Sequence, residues 1–549
     1  MVAASAGGWV VAMSADSSRP PRLRGPRGAG MVARMPRPEG WWTVPVHPVL
    51  LALLFPLFLL AANADQWVDL SVAWVPIGAC VAAGIVLFGS CALLFRGWRR
   101  GGLVASLLLV LFFSFGHVRI ALAGTGVSDG VLAVAWIGLA LLGLTTIGRG
   151  ARWIPQATKL ANAVGLLLVI YNLVGVGAFV IGQAGNTIGQ APAEVPVGVA
   201  SRKPDIYYLV FDRYANEQTL RELYDFDNRA FLAELETRGF TVAHDSWANY
   251  GGTALSMVSS LSLDYLDSAE LQASNPSTYG PIHAALRGHL AVPSTLKGLG
   301  YEYVHIGNWW EPGTRNVDAD RVLLFRQESE FAIALFETTA LTVLNPVGTQ
   351  SDDPEVLEQP NANRAHTLFE FEQVASSAAF EGPTYVFAHF LVPHPPYVFN
   401  ADGSQSAPEE VAERGARASY IEQLRWTNQR LLELLDQLLA GPPDVDPVII
   451  LQADEGPYPP RYEANQDGFQ WSQARAEEVQ EKFGILNAYY LPGADPALLG
   501  VHDRISPVNA FRVVLNAYFD AELPLLPDQT YLSPDKSRLY EFILYLRPD

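Results

Sequence analysis

The chain has little cysteine: only Cys80 and Cys91 occur among its 549 residues, and both lie in an apolar stretch near the N-terminus. The region from residue 185 onward therefore has no disulfide, no thiol nucleophile and no cysteine-ligated zinc site. A region of about 350 residues buries enough apolar surface to fold without such cross-links. We therefore expect an ordinary globular domain in the C-terminal part of the chain.

Acidic residues are scarce in the first part of the chain, and basic residues are scarce in the rest. Residues 1–190 hold 13 Lys and Arg against 5 Asp and Glu, whereas the remainder holds 24 against 51. A strongly acidic region of this size does not favour nucleic-acid binding. We therefore expect no nucleic-acid partner.

Long apolar runs are confined to the first part of the chain. A membrane-spanning helix needs roughly 20 apolar residues, and it tolerates small residues or an occasional proline. A signal peptide would explain the first run only, and core helices of soluble proteins are rarely so long and apolar. The sequence therefore predicts a transmembrane domain over residues 43–184 with five helices, near 45–63, 71–95, 103–124, 130–148 and 160–182.

The distribution of basic residues predicts the orientation of this domain. Six arginines precede the first span, and other basic residues lie between the second and third spans and between the fourth and fifth. The two remaining loops have neither Lys nor Arg. Positively charged loops stay in the cytoplasm. We therefore expect a basic, disordered cytoplasmic tail at 1–42, a linker at 185–203 and an extracytoplasmic domain at 204–549.

Strand and helix patterns alternate along residues 204–549. Runs rich in β-branched and aromatic residues are typical of buried parallel strands, and they lie near 205–211, 301–306, 384–390, 447–452 and 485–491. Helical patterns lie between them, near 218–238, 292–299, 363–379 and 416–440. This alternation predicts an α/β domain with a doubly wound, mostly parallel sheet.

Acidic residues follow two of these strands. Asp212 comes directly after Ile206–Phe211, and Asp454 and Glu455 come shortly after Val448–Leu451. Open α/β sheets bind ligands at the carboxyl ends of their strands, and adjacent carboxylates repel unless a cation or protons intervene. We therefore predict a divalent-metal site at this edge. The structural alternatives are a helix cap after the first strand and a solvated acidic turn after the second.

Histidines lie at the ends of two other strands. His389 ends one of them, and His394 follows within the rigid, proline-rich segment Pro393–Tyr397. His305 ends the strand near 301–306. A lone histidine is more often a structural group, and this alternative is strongest for His305. Two histidines at the end of one strand favour a functional role for that pair.

A hydroxyl group is available at Thr253, which follows Gly251 and Gly252 and opens an apolar helix. The positive potential at a helix N-terminus favours an alkoxide and an incoming anion such as phosphate. The two glycines allow the backbone to approach that anion. A plain N-cap role for Thr253 is the structural alternative, and the two roles are compatible.

The order of these features resembles the sulfatase-like branch of the alkaline phosphatase superfamily, over roughly residues 203–520. The motifs that carry the resemblance are Pro204–Asp212, Asn249–Ser256, Pro393–Tyr397 and Gln452–Gly456. A membrane domain followed by an outer domain is similar in layout to lipoteichoic acid synthase and the phosphoethanolamine transferases. The resemblance implies an enzyme with an alkaline phosphatase-type fold.

The resemblance also implies roles for individual residues. Thr253 corresponds to the nucleophile, and His394, with His389 or His305, to the groups that bind the substrate phosphate. Where the family has Asp-His, this chain has Asp-Glu, and an all-oxygen ligand set favours Mn²⁺, Mg²⁺ or Ca²⁺ over Zn²⁺. One divalent cation is expected, with the ligands Asp212, Thr253, Asp454 and Glu455.

The activity implied by this resemblance is transfer or hydrolysis of a phosphoester outside the cytoplasmic membrane, through a phospho-threonine intermediate. A membrane lipid or lipid-linked molecule is the expected donor, and an envelope glycan or lipid the expected acceptor. Sulfate-ester hydrolysis is disfavoured because Thr253–Met257 lacks the Cys/Ser-x-Pro-x-Arg run of true sulfatases. A phosphodiesterase or sulfatase-like hydrolase of the same fold, and a non-catalytic envelope protein that keeps the fold, remain the alternatives.

Overall fold

The computed structural model describes residues 43–64, 70–122, 125, 127–150, 152–184, 195–198, 202–274, 278–325, 330–343, 358–441 and 446–547. The tail predicted at 1–42 lies outside these residues, as does most of the linker predicted at 185–203.

Apolar helices form the first part of the described chain. Four of them are long and apolar enough to cross a membrane, whereas the first has 16 residues. At 1.5 Å per residue, this first helix is about 24 Å long, shorter than the roughly 30 Å of a bilayer core. The predicted count of five spans therefore stays a prediction. The helices are α1 (His47–Ala62), α2 (Trp74–Leu94), α3 (Trp98–Ala121), α4 (Asp129–Arg149) and α5 (Ile154–Ala184).

Helix α1 is enclosed by the other apolar helices. It packs against α2, α3 and α5, and Asn162 of α5 accepts a hydrogen bond from the backbone nitrogen of His47 at 3.0 Å. By contrast, many apolar side chains of α2 and α4 are exposed, such as Leu93 and Val134. Exposed apolar surface of this extent on long helices is typical of contact with lipid.

The described C-terminal part contains a seven-stranded sheet in the order β2–β7–β6–β1–β5–β3–β4, and a separate two-stranded sheet of β8 and β9. Strand β1 pairs in parallel with β5 and β6, and β3 pairs in parallel with β5 and β4. Strand β7 is antiparallel to β6 and β2. The predicted α/β class with mostly parallel strands is confirmed. The strands are β1 (Ile206–Phe211), β2 (Thr241–Val242), β3 (Glu302–Ile306), β4 (Arg321–Leu323), β5 (Thr384–Phe390), β6 (Val448–Gln452), β7 (Asn487–Tyr490), β8 (Thr530–Leu532) and β9 (Ile543–Tyr545).

Helices cover both faces of the large sheet. Alternate residues of β1 enter two different hydrophobic clusters, Leu209 with one face and Tyr208 with the other, because side chains alternate along a strand. The helix predicted at 218–238 is in fact two, separated by Asp225 in a left-handed conformation with φ 54°. The helices are α6 (Glu217–Tyr224), α7 (Arg229–Thr237), α8 (Thr253–Ser262), α9 (Ser268–Ser274), α10 (Gly280–Arg287), α11 (Ala291–Gly298), α12 (Glu330–Thr338), α13 (Glu358–Ser377), α14 (Pro408–Arg414), α15 (Ala416–Leu438), α16 (Pro460–Ala464), α17 (Ala476–Phe483) and α18 (Ala510–Phe519).

Candidate functional site

Three side chains meet at the carboxyl ends of the neighbouring strands β1, β5 and β6. They are Asp212, His389 and Asp454, and one possible ligand atom of each lies within 4.8 Å of the others. All three side chains are buried. The strand order β6–β1–β5 brings them together, although 242 positions separate Asp212 from Asp454 in the sequence.

Four polar atoms of this group lack well-formed hydrogen bonds. Within the described residues, Asp212 Oδ1, His389 Nε2 and both side-chain oxygens of Asp454 are buried without a partner. Leaving a buried polar group unpaired costs about 1–3 kcal/mol. A divalent cation would satisfy all four atoms, so the residues present fit such an ion.

The electrostatics of the two acids agree with a cation site. Burial raises the pKa of Asp212 well above its usual value, the nearby carboxylate of Asp454 raises it further, and the Arg213 guanidinium opposes this. Burial also raises the pKa of Asp454, while the hydroxyl of Thr253 lowers it. A bound cation favours the charged form of both acids.

Glu455 is held by a different partner. Its Oε2 atom lies 2.5 Å from Nζ of Lys482, and its Oε1 atom lies 3.9 Å from Nε of Arg213. The predicted ligands Asp212 and Asp454 are thus grouped together, but the third member of their group is His389 and not Glu455. His389 brings a nitrogen ligand, so the argument against Zn²⁺ from an all-oxygen set no longer applies.

Thr253 is the first residue of α8, and Gly252 takes the N-cap position without a side-chain cap hydrogen bond. The proposed alternative, in which Thr253 is itself the N-cap, is therefore wrong. Gly251 is needed for a close approach, because a Cβ atom there would lie 2.8 Å from the ring of Phe483. The hydroxyl of Thr253 is close enough to Asp454 to influence its pKa.

His394 and His305 occupy different surroundings. Nε2 of His394 lies 3.9 Å from Oδ2 of Asp212, and burial lowers the pKa of His394 well below its usual value, with Arg213 adding to the effect. His305 is enclosed instead: its two ring nitrogens lie 3.0 Å from the Tyr303 hydroxyl and 3.0 Å from the Gly313 carbonyl oxygen. With both nitrogens engaged, His305 has none to offer a substrate, and we do not retain it in the proposed site.

A cleft of about 420 Å³ opens beside these residues. It contains Thr253, Asp212, Glu455 and His394, as well as aromatic residues that the sequence analysis did not single out. Two of these, Trp309 and Trp310, follow β3, so the strand-end rule would have identified them. The aromatic residues lining the cleft are Tyr279, Trp309, Trp310, Tyr458 and Tyr462.

Two buried cations near the site were also missed. Arg213 directly follows Asp212 in a left-handed conformation with φ 62°, and its guanidinium carbon lies 3.4 Å from the ring centre of Tyr458. Lys482 lies on α17 with no exposed side-chain surface, and burial lowers its pKa to about 8. The position of Arg213 next to an acid was a usable signal, whereas nothing in the sequence around Lys482 links it to the site.

No protein family and no curated protein matched the chain. Among solved structures, it is similar to the C-terminal periplasmic domain of EcEptC from Escherichia coli in complex with Zn, at 11% identity and TM-score 0.40, over 64% of this chain and 96% of that chain. It is similar to lipooligosaccharide phosphoethanolamine transferase A (EptA), an integral membrane protein from Neisseria meningitidis, at 13% identity and TM-score 0.38, over 86% and 95%.

A further similar structure is a protein in the alkaline phosphatase superfamily from Vibrio parahaemolyticus, at 12% identity and TM-score 0.39, over 63% of this chain and 76% of that chain. This is the superfamily that the four sequence motifs resemble.

Proposed function

We propose that the protein is a membrane-anchored, metal-dependent enzyme that transfers or hydrolyses a phosphoryl group. The observation that supports this most strongly is the group formed by Asp212, His389 and Asp454, whose buried polar atoms lack partners and lie within 4.8 Å of one another. The Thr253 hydroxyl lies beside this group at the start of α8. A nucleophile next to a cation site is what phosphoryl transfer requires.

The ligands that we propose for the cation are Asp212, Asp454 and His389, with the Thr253 hydroxyl. Carboxylates and an imidazole suit Mn²⁺ and Zn²⁺. When bound, the cation would lower the pKa of the Thr253 hydroxyl and polarise the oxygens of the phosphoryl group.

The protein's own residues then perform the transfer. The hydroxyl of Thr253 gives up its proton to solvent, its oxygen attacks phosphorus, and the bond to the donor's ester oxygen breaks. That oxygen takes up a proton from solvent and leaves as an alcohol, and the phosphoryl group remains on Thr253. The backbone N–H groups in the first turn of α8 stabilise its negative charge. His394 faces the same cleft, and because its Nδ1 donates to the carbonyl oxygen of Pro395, its Nε2 donates a hydrogen bond to the phosphoryl group only when the ring is protonated. An acceptor hydroxyl or water then attacks phosphorus and releases Thr253.

The apolar helices support a lipid or lipid-linked donor, because they hold the catalytic domain at a membrane. An envelope glycan or lipid would then be the acceptor, and the catalytic domain would lie outside the cytoplasmic membrane. The same residues can use water as the acceptor, so a hydrolase of this fold is the second candidate function. The transferase is favoured by the long apolar helices, which a soluble hydrolase does not need.

An assay of the purified full-length protein in detergent tests this proposal. Labelled anionic phospholipid is incubated with the protein and Mn²⁺ or Zn²⁺, with and without a glycan acceptor. We expect cation-dependent loss of the lipid. Transfer of the label to the glycan acceptor identifies a transferase, whereas release of the labelled group into water identifies a hydrolase. A protein that binds no divalent cation and turns over no phosphoester would be a non-catalytic envelope protein.

A further inference from the structure

Glu455 and Lys482 form a buried ion pair beside the proposed metal site. Nζ of Lys482 lies 2.5 Å from Oε2 of Glu455, and their side chains are 0% and 2% exposed. Nε of Arg213 lies 3.9 Å from the other carboxylate oxygen. Both oxygens of Glu455 thus face a cation that belongs to the protein.

The surrounding chain holds this pair in place. The backbone nitrogen of Gly456 donates a hydrogen bond of 2.7 Å to the carbonyl oxygen of Lys482. A Cβ atom at Gly456 would lie 2.2 Å from the carbonyl oxygen of Glu481, so only glycine allows the two segments to come this close. The ammonium also lies 3.9 Å from the ring centre of Tyr458, in the geometry of a cation–π contact.

The pair and the metal group differ in how their polar atoms are satisfied. Asp212, Asp454 and His389 present buried atoms without hydrogen-bond partners to one another. Oε2 of Glu455 and Nζ of Lys482 also lack hydrogen-bond geometry, but they lie 2.5 Å apart as an ion pair, so the carboxylate of Glu455 already has its counter-charge. A buried charge that loses its partner is strongly unfavourable. Glu455 therefore cannot turn toward a metal ion without leaving the ammonium of Lys482 uncompensated.

We infer that Lys482 is a positioning residue that holds Glu455 away from the cation, so that the cation is bound by Asp212, Asp454 and His389. This inference rests on the proposed function, because it concerns the ligands of the cation proposed there. In this arrangement, Glu455 holds Lys482 and Arg213 beside the site. The two adjacent acids therefore have different roles, since Asp454 binds the cation and Glu455 does not.

Binding of Mn²⁺ to the purified full-length protein tests the inference without an activity assay. The affinities of the wild type, Lys482→Met and the charge-balanced double variant Glu455→Gln/Lys482→Met are measured by titration, with thermal melts alongside. Asp454→Asn serves as the ligand control. Lys297→Met, which removes a partly exposed lysine paired with Asp320 at 2.9 Å, serves as the lysine control.

The single variant frees the carboxylate of Glu455, so we expect it to bind Mn²⁺ about fivefold more tightly or better, the effect of one added unit charge screened as in water. The double variant removes that carboxylate again, so its Mn²⁺ affinity should return to within about threefold of the wild type. Asp454→Asn removes a true ligand, so its Mn²⁺ affinity should fall more than about tenfold. Loss of a nearby positive charge alone would tighten binding by a similar amount, so the Mn²⁺-bound structure of Lys482→Met distinguishes the two. A Glu455 oxygen at about 2.0–2.6 Å from the ion supports the positioning role, and a Glu455 that stays away from the ion overturns it.

The outcomes separate this inference from the proposed function. If the wild type does not bind Mn²⁺, the titrations are repeated with Zn²⁺, and a wild type that binds neither ion overturns both. If the wild type binds the ion but the double variant binds it as weakly as Asp454→Asn, then Glu455 is a ligand, and the inference alone is overturned. A Lys482→Met variant that folds but does not bind the ion more tightly overturns the inference as well. If the variants fail to fold, the structure of the wild type with bound Mn²⁺ tests the inference instead. A Glu455 carboxylate that remains paired with Lys482 supports it, and a Glu455 oxygen at about 2.0–2.6 Å from the ion overturns it.

Discussion

Nε2 of His389 lies 3.8 Å from Oδ2 of Asp454, and both side chains are buried. This distance is too long for a hydrogen bond, and neither atom has another well-formed one among the described residues. Burial lowers the pKa of His389 to about 3, so the imidazole is neutral at physiological pH. The facing imidazole nitrogen and carboxylate oxygen can both bind a metal ion once the proton of the neutral ring lies on Nδ1.

The first prediction separates the two histidines of the site by role. His389→Ala removes a proposed ligand, so the protein should lose more than about tenfold in metal affinity. His394→Ala should keep the metal and lose turnover, because His394 faces the cleft but does not belong to the metal group. Elemental analysis of both purified variants, with turnover of a labelled phospholipid, checks this. Loss of metal in His394→Ala with retention in His389→Ala would reverse the two roles.

The second prediction concerns Asn308, whose amide nitrogen lies 2.9 Å from both Nδ1 and the carbonyl oxygen of His389. The amide nitrogen donates to Nδ1, so the neutral ring carries its proton on Nε2, and that proton must move to Nδ1 before Nε2 can bind a cation. Asn308→Asp places a carboxylate there that accepts the Nδ1 proton, so this variant should raise the metal affinity about tenfold or more. Asn316→Asp is the control, since this buried asparagine binds the carbonyl oxygens of Leu286 and Gly288. Equal affinities in the two variants would show that Asn308 does not set the tautomer of His389.

The strand-end acids could be predicted from the sequence because the signal is local. The apolar run Ile206–Phe211 identifies its own strand, and Asp212 follows it directly. His305 shows the limit of the same rule. In the sheet it pairs with Phe387, two residues before His389 on β5, so it lies about 7 Å deeper than the rim. Strand register places it there, and register depends on contacts between strands distant in sequence.

The partner toward which the Glu455 side chain points could not be predicted for a similar reason. Its partner Lys482 lies on α17, 27 positions later, and is brought to it by the close contact of Gly456 with Glu481. Neither feature has a local sequence signal. The pattern of two adjacent acids therefore suggested two ligands, whereas the structure gives them different partners.

The third prediction concerns pH. The pKa of Asp212 and that of Asp454 are raised in the folded, metal-free protein. The folded state then binds more protons than the unfolded state between the ordinary pKa near 4 and the raised values, so its stability falls as pH rises through this window. Melting of metal-free protein between pH 5 and 8 should show this decline, and Asp212→Asn/Asp454→Asn should show a shallower one, because burial also raises the pKa of Glu370 and that of Glu455. Saturating Mn²⁺, at about 100 times its Kd, should add about 2.7 kcal/mol, most clearly at the upper end of the range. A decline of equal size in the double variant would assign it to other groups.

The fourth prediction concerns the side of the membrane on which the catalytic domain lies. An extracytoplasmic domain with a cytoplasmic N-terminus needs an odd number of spans, so α1 must cross together with the four longer helices. Leu498 is 86% exposed, and Leu498→Cys provides a surface thiol. A membrane-impermeant maleimide added to intact cells should label it, while the wild type, whose cysteines lie in α2, should remain unlabelled. Labelling only after permeabilisation would favour four spans and a cytoplasmic domain.

In the proposed reaction, Thr253 carries the phosphoryl group. The most direct measurement is the intact mass of the full-length protein after incubation with Mn²⁺ and a phospholipid donor, followed by peptide mapping. We expect an adduct on Thr253 that is absent in Thr253→Ala, with turnover reduced by orders of magnitude in that variant and partly retained in Thr253→Ser. Metal affinity and melting temperature should change little in Thr253→Ser, which keeps the hydroxyl. Equal turnover in Thr253→Ala and wild type, with no adduct at Thr253, would exclude Thr253 as the nucleophile.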